Sequence, residues 1–557
     1  MSLGEFYTPR WLAELVLEAS SYDGSPGLRL CDPACGEGVF LELAIGRARS
    51  RGARLEQILE SIQGFEMNPQ AAAAARRAYL AALGPLGAGL DAERIPVFCR
   101  NSLLDPPWKN HFDFVVGNPP WVRWDYLPAG WRTATLPLWK HYGLFSLSGF
   151  EGRLGGGKKD LSMLFTYVAA DRYLKPGGVL AFVITLEVLK SKGAGEGFRR
   201  FRLGAAGDPL EVVAVHDFMN LRPFRDAANK TAVLVLRKGS WTKFPVPYYV
   251  WERGTGGALQ RFRLEARPLG GPLGPWQTLS RMDGRLAILA GENPYRPVIG
   301  LNANPYGVFW LELAGVSEAG LARARNLPEL GKLDIPKLEV ELESDCLYPA
   351  LRGSDIQRWR ATPSLYVLLA QDPFRRRGVP LDEMRRRFPK TLNYLEGFRQ
   401  TLVERALYRK YHQPSGQPFY SQFNAGPSLL APYKVVWRRL GRDLLAAVVG
   451  SQYGGELGPR LILPLETTTF IGTETAVEAH YLCAILNSPP VRAFIRSVSL
   501  AGRGFGSPGA IKNLCIPKFD SRNPRHAALA ELSEQMQENP QAEAEAHLEE
   551  LVWGLYG

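Results

Sequence analysis

Cysteine and histidine are scarce in this chain of 557 residues, which contains six cysteines and seven histidines. The cysteines form no CxxC pair, and no Cys/His spacing typical of a zinc site occurs. Cys31 and Cys35 share the stretch "CDPACGEG", where small apolar packing side chains are a better interpretation than a pair of metal ligands. We therefore expect chemistry for which the protein binds no metal.

Long apolar runs are also missing. No run reaches the roughly 18 residues that a membrane span requires. The N-terminal "MSLGEFYTPRWLAELV" lacks the basic region followed by an apolar core that is typical of an export signal. These absences predict no membrane partner and a cytoplasmic location.

Acidic residues are fewer than basic ones. The chain has 55 Asp and Glu against 67 Lys and Arg, a net charge of +12 and a pI of about 9.3. A basic protein is typical of a polyanionic partner such as nucleic acid, although an arginine-rich surface can be basic without one. Charge alone leaves both interpretations open.

Short β-rich runs divide the first 240 residues, and helical patterns separate the early ones. The runs are Gly27–Asp32, Ser61–Glu66, Ile95–Cys99, Phe112–Gly117, Gly177–Thr185, Leu210–His216 and Thr231–Arg237. Apolar strands that alternate with helices predict an α/β fold with a doubly wound, mostly parallel sheet that is buried on both faces. Ligands of such sheets bind beyond the carboxyl ends of the strands, so the residues after each strand are candidates for a site.

The first three strand ends carry residues suited to a nucleoside-type ligand. After the first strand, Gly36 and Gly38 permit a tight turn and close backbone approach before a helix. Glu66 ends the second strand, where a carboxylate can accept hydrogen bonds from ribose hydroxyls. Asn101 follows the third strand, within reach of a base edge. Each residue alone could be a turn former or a solvated side chain, but their order favours one shared site.

The fourth strand, "FDFVVG", is followed by "NPPW". An exocyclic amine of a base is a poor nucleophile because its lone pair is delocalised into the ring. Two hydrogen-bond acceptors can hold both amine hydrogens and keep the nitrogen in line with a methyl donor. The Asn118 side chain and the Pro119 carbonyl can supply them, since consecutive prolines fix the direction of that carbonyl. Trp121 offers a flat face on which an extruded base can stack.

The order of these motifs resembles the gamma-class, adenine-N6 group of S-adenosylmethionine-dependent DNA amino-methyltransferases. The motifs that are similar to that group are "GEFYTPRWLAELV" (Gly4–Val16), "DPACGEG", "GFEMNP", "GNPPW", "LKPGGVLAFVIT" and "PFRDAANKTAVLVLRKG". The resemblance implies a Rossmann-like, seven-stranded sheet in a catalytic domain over residues 1–240. It also implies S-adenosylmethionine as cofactor and double-stranded DNA as partner.

The resemblance further implies roles for single residues. Those implied to bind the cofactor are Thr8, Asp32, Ala34, Gly36, Glu66, Asn101 and Leu103, and those implied to hold the target adenine are Asn118, Pro119, Trp121 and Phe224. Trp121 stands where this group more usually has Tyr or Phe, and Asn101 stands where Asp is commoner. The similar "LLDPPW" (Leu103–Trp108) precedes the fourth strand, and we interpret it as a turn.

A long segment, Val122–Lys159, follows the catalytic motif and is rich in Trp, Gly and basic residues. Long loops beside a site are usually functional or disordered. We favour a flap that becomes ordered over DNA.

From about Gly239 the pattern becomes irregular and rich in Arg, Tyr, Pro and Gly. "YPALRGSDIQRW", "APYKVVWRR", "LCAILNSP", "NLCIPKF" and the closing "LEELVWGLYG" resemble the target-recognition domains that follow the catalytic domain in this class. We expect a mixed α+β DNA-specificity domain over residues 241–557, with a C-terminal helix. Arginine runs beside aromatics, such as "FRRRG" and "MRRRF", are candidates for phosphate contacts, although a single run is more often a solvated face.

No carboxylate is followed two residues later by lysine, the pattern of the nucleases in combined enzymes. We therefore predict no nuclease within the chain, and a separate restriction endonuclease or defence-complex subunit is left open as a partner. Methylation of the cytosine amine also stays open, although Ser more often replaces Asn in that loop. Two alternatives of other classes stay open as well: a protein-glutamine or RNA amino-methyltransferase, and a catalytically silent DNA-binding subunit. The long segment after the fold argues against the first alternative, and the intact Asn118, Pro119 and Glu66 argue against the second.

Overall fold

The computed structural model divides the chain into two compact units, Met1–Gly284 and Arg285–Gly557, called here the first and second units. The residues that the structure describes are 7–106, 109–145, 159–191, 195–224, 229–254, 256–317, 320–451, 453–499, 505–541 and 544–557. Parts of three predicted motifs lie outside them: residues 4–6, 107–108 and 225–228. In the described part of the chain, no helix is both long enough and apolar enough to cross a membrane.

The first unit is built on one ten-stranded sheet. Its strands are β1 (Leu30–Asp32), β2 (Ile62–Glu66), β3 (Val97–Cys99), β4 (Phe112–Gly117), β5 (Leu174–Thr185), β6 (Leu210–Asp217), β7 (Thr231–Lys238), β8 (Val246–Arg253), β9 (Leu259–Pro268) and β10 (Trp276–Leu279). Their order across the sheet is β10-β9-β8-β6-β7-β5-β4-β1-β2-β3. Strands β1 to β5 are parallel to their neighbours among themselves, and β7 is antiparallel to both β5 and β6. The predicted α/β class is confirmed.

The sheet has ten strands where we predicted seven, and the three added strands shift the boundary of the unit. β8 pairs in parallel with β6, and β9 and β10 continue as antiparallel neighbours. The unit therefore ends after Gly284, beyond the predicted boundary at residue 240. The change of pattern near Gly239 therefore falls within one sheet, which continues through β8, β9 and β10.

Seven helices of the first unit lie in its described residues. They are Arg10–Ala19, Val39–Ser50, Leu55–Ser61, Pro69–Leu83, Ala129–His141, Leu161–Val168 and Glu187–Lys190. Leu12, Val16, Phe40 and Tyr79 turn fully or almost fully buried side chains from three of these helices into one core with sheet residues. The Tyr79 hydroxyl donates to backbone carbonyls beside the start of β2, which satisfies this polar group inside the core.

The second unit mixes helices with smaller, largely antiparallel sheets. Its strands are β11 (Val298–Ile299), β12 (Trp310–Val316), β13 (Leu321–Asn326), β14 (Glu339–Glu343), β15 (Leu347–Leu351), β16 (Leu365–Leu368), β17 (Gln371–Asp372), β18 (Arg377–Gly378), β19 (Tyr433–Arg438), β20 (Ala446–Val449), β21 (Tyr453–Gly455), β22 (Gly458–Arg460), β23 (Leu463–Pro464) and β24 (Thr468–Thr473). They form sheets of order β11-β24-β19-β20 and β14-β13-β12-β16-β15-β23, and two hairpins, β17–β18 and β21–β22.

The helices of the second unit are short in its middle and longer towards its end. They are Tyr306–Phe309, Leu381–Arg387, Pro389–Gly397, Arg399–Val403, Ala476–Asn487, Pro489–Val498, Pro508–Ile511, Pro524–Glu538 and Ala544–Trp553. Buried Trp310, Met384 and Leu395 belong to one core that joins strands and helices of this unit. The second unit therefore has a hydrophobic core of its own.

Candidate active site

A cavity of about 470 Å³ opens at the carboxyl ends of β1, β2 and β4, which is the edge where ligands of parallel sheets bind. Its volume lies within the range of small-molecule sites. Eight of the eleven predicted site residues line it: Thr8, Asp32, Ala34, Gly36, Glu66, Asn101, Asn118 and Pro119. Leu103, Trp121 and Phe224 are not among its lining residues.

Asp32 ends β1 and is 1% exposed. Its Oδ1 accepts a hydrogen bond from the Ala34 backbone N–H at 3.0 Å, and its Oδ2 has no hydrogen-bond partner in the described part of the chain. Burial raises the pKa of this carboxyl to about 8, against the lowering effect of the Ala34 N–H and with a further increase from Glu66. An unpaired buried acceptor in a cavity wall is expected where a ligand supplies the donor.

Glu66 ends β2, and two backbone N–H groups fix its carboxylate. Its Oε2 accepts from Gly36 at 3.0 Å, and its Oε1 accepts from Asn68 at 2.7 Å. Gly36 has φ +54°, and a β-carbon built there would meet no atom within 4 Å. The glycine thus leaves open space beside the carboxylate, while each carboxylate oxygen keeps a second acceptor position.

Asn101 follows β3 and caps the turn that comes next. Its Oδ1 accepts hydrogen bonds from the backbone N–H groups of Leu103 and Leu104, both at 3.1 Å. This is the turn-forming role that Asn performs well, and it occurs in the wall of the cavity. Leu103 is 1% exposed and packs in the interior, so the structure does not bring it to the cavity surface as predicted.

Asn118 directly follows β4, and Thr8 orients its side chain. The Asn118 Nδ2 donates to the Thr8 Oγ1 at 3.1 Å. Thr8 stands two residues before the helix Arg10–Ala19, so a segment distant in sequence determines the direction of the carboxamide. Pro119 and Pro120 continue the same wall, and their rings restrict the backbone that carries the Pro119 carbonyl.

The Trp121 and Phe224 rings are neighbours, as predicted, but they contact each other directly. Their ring centroids are 5.0 Å apart with an interplanar angle of 84°. Trp121 is 5% exposed, and its indole N–H donates to the Val183 carbonyl at 3.3 Å. Two rings that hold a base between them must be about 7 Å apart, twice the usual contact distance. The predicted arrangement, with a base between Trp121 and Phe224, is therefore absent from this conformation.

The described part of the segment after Trp121 is folded. It contains the helix Ala129–His141, and Trp124, Trp139 and Phe145 pack as an aromatic cluster with centroids 5.1–5.5 Å apart. Residues 146–158 lie outside the described ranges. The predicted ordering of this segment over DNA stays a prediction.

Asp160 connects the end of this segment to the cavity. It caps the helix Leu161–Val168, with its Oδ1 accepting from the Ser162 N–H at 3.1 Å. Its Oδ2 accepts from the Thr185 hydroxyl at the end of β5 at 2.6 Å. Burial raises the pKa of this carboxyl, and its hydrogen bonds oppose that shift. The cap fixes a helix whose first turns face the site.

Several cavity residues were not among the predicted ones. They include Tyr7, Ser102, Trp131, Leu161 and Phe165. Tyr7 and Ser102 adjoin predicted residues, so the motifs that contain them could have indicated both. Trp131, Leu161 and Phe165 come from helices in or after the long segment, where no spacing relates them to the strand ends.

The described residues contain no candidate metal site, because no group of three or more His, Cys, Asp or Glu side chains there could hold a metal ion. Cys31 and Cys35 are both buried, and Cys35 lines the cavity. Burial raises the pKa of each thiol, which favours the neutral form of a packing side chain.

The segment that forms this cavity matches a known family. Residues 1–243 match the sequence model of the family described as N-6 DNA Methylase. This segment, which is less than half of the chain, is therefore similar to the N-6 DNA methylases. The predicted resemblance to DNA amino-methyltransferases is confirmed, and the match implies S-adenosylmethionine as the methyl donor.

Two known methylases are similar in sequence to part of this chain. The modification methylase CviBIII of Paramecium bursaria Chlorella virus NC1A is 25% identical over 218 residues, which cover 39% of this chain and 46% of that protein. The type II methyltransferase M.XhoI of Xanthomonas vasicola is 30% identical over 249 residues, which cover 42% of this chain and 40% of that protein. The chain spans less than half the length of these relatives.

Two solved structures share the fold over nearly the whole chain. The type IIL restriction-modification enzyme MmeI in complex with DNA matches with a TM-score of 0.59 at 13% identity, covering 98% of this chain and 72% of that one. A nuclease-deletion mutant of the type ISP restriction-modification enzyme LlaGI with a DNA substrate mimic matches with a TM-score of 0.52 at 9% identity, covering 96% and 47%. At these identities the likeness concerns the fold.

Proposed function

We propose that this chain methylates DNA at the N6 amine of adenine within a specific sequence, as the methylase of a restriction–modification or other phage-defence system. The observation that carries the proposal is the Asn118–Thr8 hydrogen bond at the end of β4. It orients the carboxamide inside a cavity whose other walls contain Asp32, Glu66 and Asn101. One cavity thus combines groups suited to a nucleoside with groups suited to an amine.

S-adenosylmethionine, when bound, supplies an electrophilic methyl group. The residues of the cavity fit this cofactor in two respects. Asp32 has a buried, unpaired carboxyl oxygen for a donor, and the open space at Gly36 permits close approach to the backbone. Glu66 is held by two backbone N–H groups, so its remaining acceptor positions are fixed in direction for ribose hydroxyls.

Asn118 and Pro119 act on the target amine by positioning it. Each supplies a carbonyl-type oxygen, and two acceptors are enough to hold the two hydrogens of an exocyclic amine. The nitrogen is then kept in line with the reactive carbon, which supplies the orientation part of catalysis without a general base. Thr8 acts through Asn118, because it fixes the direction of the carboxamide.

The base pocket must open before it can bind an adenine. With Trp121 and Phe224 in edge-to-face contact at 5.0 Å, we propose that the Phe224 ring moves away from Trp121 when an extruded base enters. Trp121 then provides the stacking face, and its indole N–H bond to Val183 keeps that face in position.

We further propose that the second unit is the target-recognition domain. A separate restriction endonuclease or defence-complex subunit is left open as a partner. A cytoplasmic location is the one that fits DNA modification.

The proposal is tested by methyl transfer from labelled S-adenosylmethionine to unmethylated genomic DNA, followed by nucleoside analysis and mapping of modified positions. We expect label in N6-methyladenine at one recurring sequence, and none with N118A although N118A still binds the cofactor. Label in N4-methylcytosine would contradict the adenine assignment. Label in protein or RNA but not in DNA would contradict the whole proposal, and equal loss of cofactor binding in N118A would contradict the role of Asn118.

A further inference from the structure

The hairpin β17–β18 of the second unit carries an exposed aromatic side chain at its tip. Gln371–Asp372 pairs with Arg377–Gly378, and Pro373–Arg376 forms the connection. Phe374, in this connection, is 73% exposed. Burial of a phenylalanine side chain is strongly favourable, so this one is placed where it contributes little to the folded core. We call residues 371–378 the arginine hairpin.

The tip of the arginine hairpin is held in one conformation. The Asp372 Oδ1 accepts from the backbone N–H groups of Phe374 at 2.9 Å and Arg375 at 3.1 Å. The Arg375 Nε lies 3.5 Å from the Asp372 Oδ2. These contacts fix the backbone on which the phenylalanine is carried.

The base of the hairpin is attached to the neighbouring chain. The Gln371 Nε2 donates to the Gln422 carbonyl at 2.6 Å, and the Gly378 N–H donates to the Gln417 side-chain oxygen at 3.2 Å. This hairpin is anchored at its base and fixed at its tip. It can therefore insert a side chain into a partner with little loss of conformational entropy, because its loop is already ordered.

Three exposed arginines, Arg375, Arg376 and Arg377, follow Phe374 directly in the hairpin. Within the described residues, neither Arg376 nor Arg377 takes part in an ion pair. Arg376 shares one cavity wall with Arg296, and Arg377 shares another with Arg399. Arg399 itself pairs with Glu396, so the guanidinium groups that the hairpin offers to a polyanion are those of Arg376 and Arg377.

A second arginine triplet nearby in the sequence differs in this respect. Arg385 pairs with Asp382 at 3.2 Å, and Arg387 pairs with Glu383 at 2.6 Å. Both pairs lie within one helix, Leu381–Arg387, and they are typical of a solvated helix face. The two runs that look alike in sequence are thus electrostatically distinct.

We propose that the arginine hairpin is a DNA wedge, in which Phe374 inserts between neighbouring base pairs of double-stranded DNA while Arg376 and Arg377 contact the phosphates on either side. The inference rests on the proposed function in that DNA is the partner. Apolar side chains that enter a base step, flanked by basic residues on phosphates, are a known means of deforming a duplex. The hairpin combines an exposed ring with arginines that have no ion pair in the described part of the chain. Arginines alone would be enough to bind an acidic protein, so the exposed ring favours DNA as the partner.

The phosphate contacts are tested by the salt dependence of DNA affinity, using the full chain and a duplex that contains the mapped site. Each lost phosphate contact lowers the slope of log affinity against log salt by about 0.9. We expect R376Q/R377Q to lower the slope by about 2 and the matched control R385Q/R387Q to leave it as in the wild type. Equal slopes for R376Q/R377Q and the wild type would overturn the assignment of the arginines.

The wedge is tested by DNA unwinding, measured as the linking-number change when plasmid is relaxed by topoisomerase in the presence of saturating protein. We expect F374A to unwind less DNA per bound molecule than the wild type and F374W to match the wild type. The control is L333A, which truncates a side chain of the same unit that is 52% exposed and should match the wild type.

The wedge should also contribute to affinity. Loss of one base stack weakens binding roughly 5- to 150-fold, so F374A should bind the duplex that much more weakly while its melting temperature stays that of the wild type. Unwinding and affinity equal to the wild type in F374A would overturn the wedge. A hairpin variant that keeps DNA binding but loses capture of an acidic protein would assign the surface to that partner instead.

These results are distinguishable from failure of the proposed function. A wild-type chain that transfers no methyl group to DNA, yet unwinds plasmid DNA more than F374A does, would contradict the methyltransferase proposal and support the wedge. A wild-type chain that methylates DNA, with hairpin variants that bind and unwind as it does, would contradict the wedge alone.

Discussion

A β-carbon placed on Gly117 would lie 2.5 Å from the Oδ1 of Asp32. Gly117 ends β4 and Asp32 ends β1, and these two strands are parallel neighbours in the sheet. A separation below 3.0 Å cannot be tolerated by a real side chain without movement. The buried carboxyl and the residue just before Asn118 are therefore fitted to each other.

The first prediction concerns this contact. G117A should lower the free energy of unfolding by roughly 1–3 kcal/mol, the usual cost of overpacking, and should weaken cofactor binding because Asp32 must shift. Thermal melting and calorimetric titration with S-adenosylmethionine measure the two effects. The control is G46A, in the exposed part of the helix Val39–Ser50 with no atom within 4 Å of the added carbon. It should be neutral or stabilising by up to about 1 kcal/mol, and equal melting of G117A and G46A would contradict the contact.

The second prediction concerns pH. Because burial raises the pKa of Asp32 from near 4 to about 8, the folded state retains a proton that the unfolded state releases. The contribution of this group to stability therefore falls as pH rises from about 4 to about 8 and is constant above that. D32N cannot ionise, so its melting temperature should rise relative to the wild type between pH 5 and pH 8.

The control for the pH experiment is D334N, which removes an exposed carboxyl from the second unit. Its melting temperature should keep a constant difference from the wild type over the same range. A D32N curve parallel to the wild-type curve would contradict the raised pKa.

The third prediction separates positioning from binding. T8V removes the oxygen that accepts from the Asn118 Nδ2 at 3.1 Å, while T8S keeps it. One lost hydrogen bond is worth about 1 kcal/mol, and misdirection of the carboxamide adds to this, so kcat should fall at least about 5-fold in T8V. Single-turnover methylation at saturating cofactor measures the effect, and T8S should recover most of the activity. A T8V enzyme with wild-type kcat would remove Thr8 as a positioning residue.

The fourth prediction concerns the aromatic pair. Because Trp121 is 5% exposed and contacts Phe224, W121A should cost about 3–5 kcal/mol of stability as well as base capture. W121F keeps a ring but loses the indole bond to Val183, so it should melt closer to the wild type and keep measurable methylation. A W121A protein with wild-type melting and activity would exclude the residue from both roles.

The positions of the strand-end residues were predictable from the sequence because parallel strands bring their carboxyl ends to one edge of a sheet. Asp32, Glu66 and Asn118 lie at the carboxyl ends of three different strands, and all three line one cavity. Leu103 is an exception, because it lies in a turn whose backbone N–H groups donate to the Asn101 side chain and its own side chain is buried outside the cavity lining. A local turn of this kind reverses a side chain without changing the order of the motifs.

Other features depend on contacts between distant segments and were not predictable from local pattern. Trp131 reaches the cavity from a helix in the long segment after the catalytic motif, and its helical spacing does not specify which wall it joins. The edge-to-face contact of Trp121 with Phe224 is similar, because it depends on a rotamer within the folded core. The added strands β8 to β10 lacked the βα rhythm on which the strand count relied.

The pairing of β8 with β6 also bears on where the polypeptide can be cut. The family match ends at residue 243, three residues before β8 begins. A fragment that ends there would uncover the backbone of β6 at Val215, His216 and Asp217, which pair with β8 in the intact sheet. An open strand of this kind invites edge-to-edge association. For expression of the first unit alone, a terminus after Gly284 therefore keeps the sheet intact. A fragment trimmed to the family match is expected to precipitate.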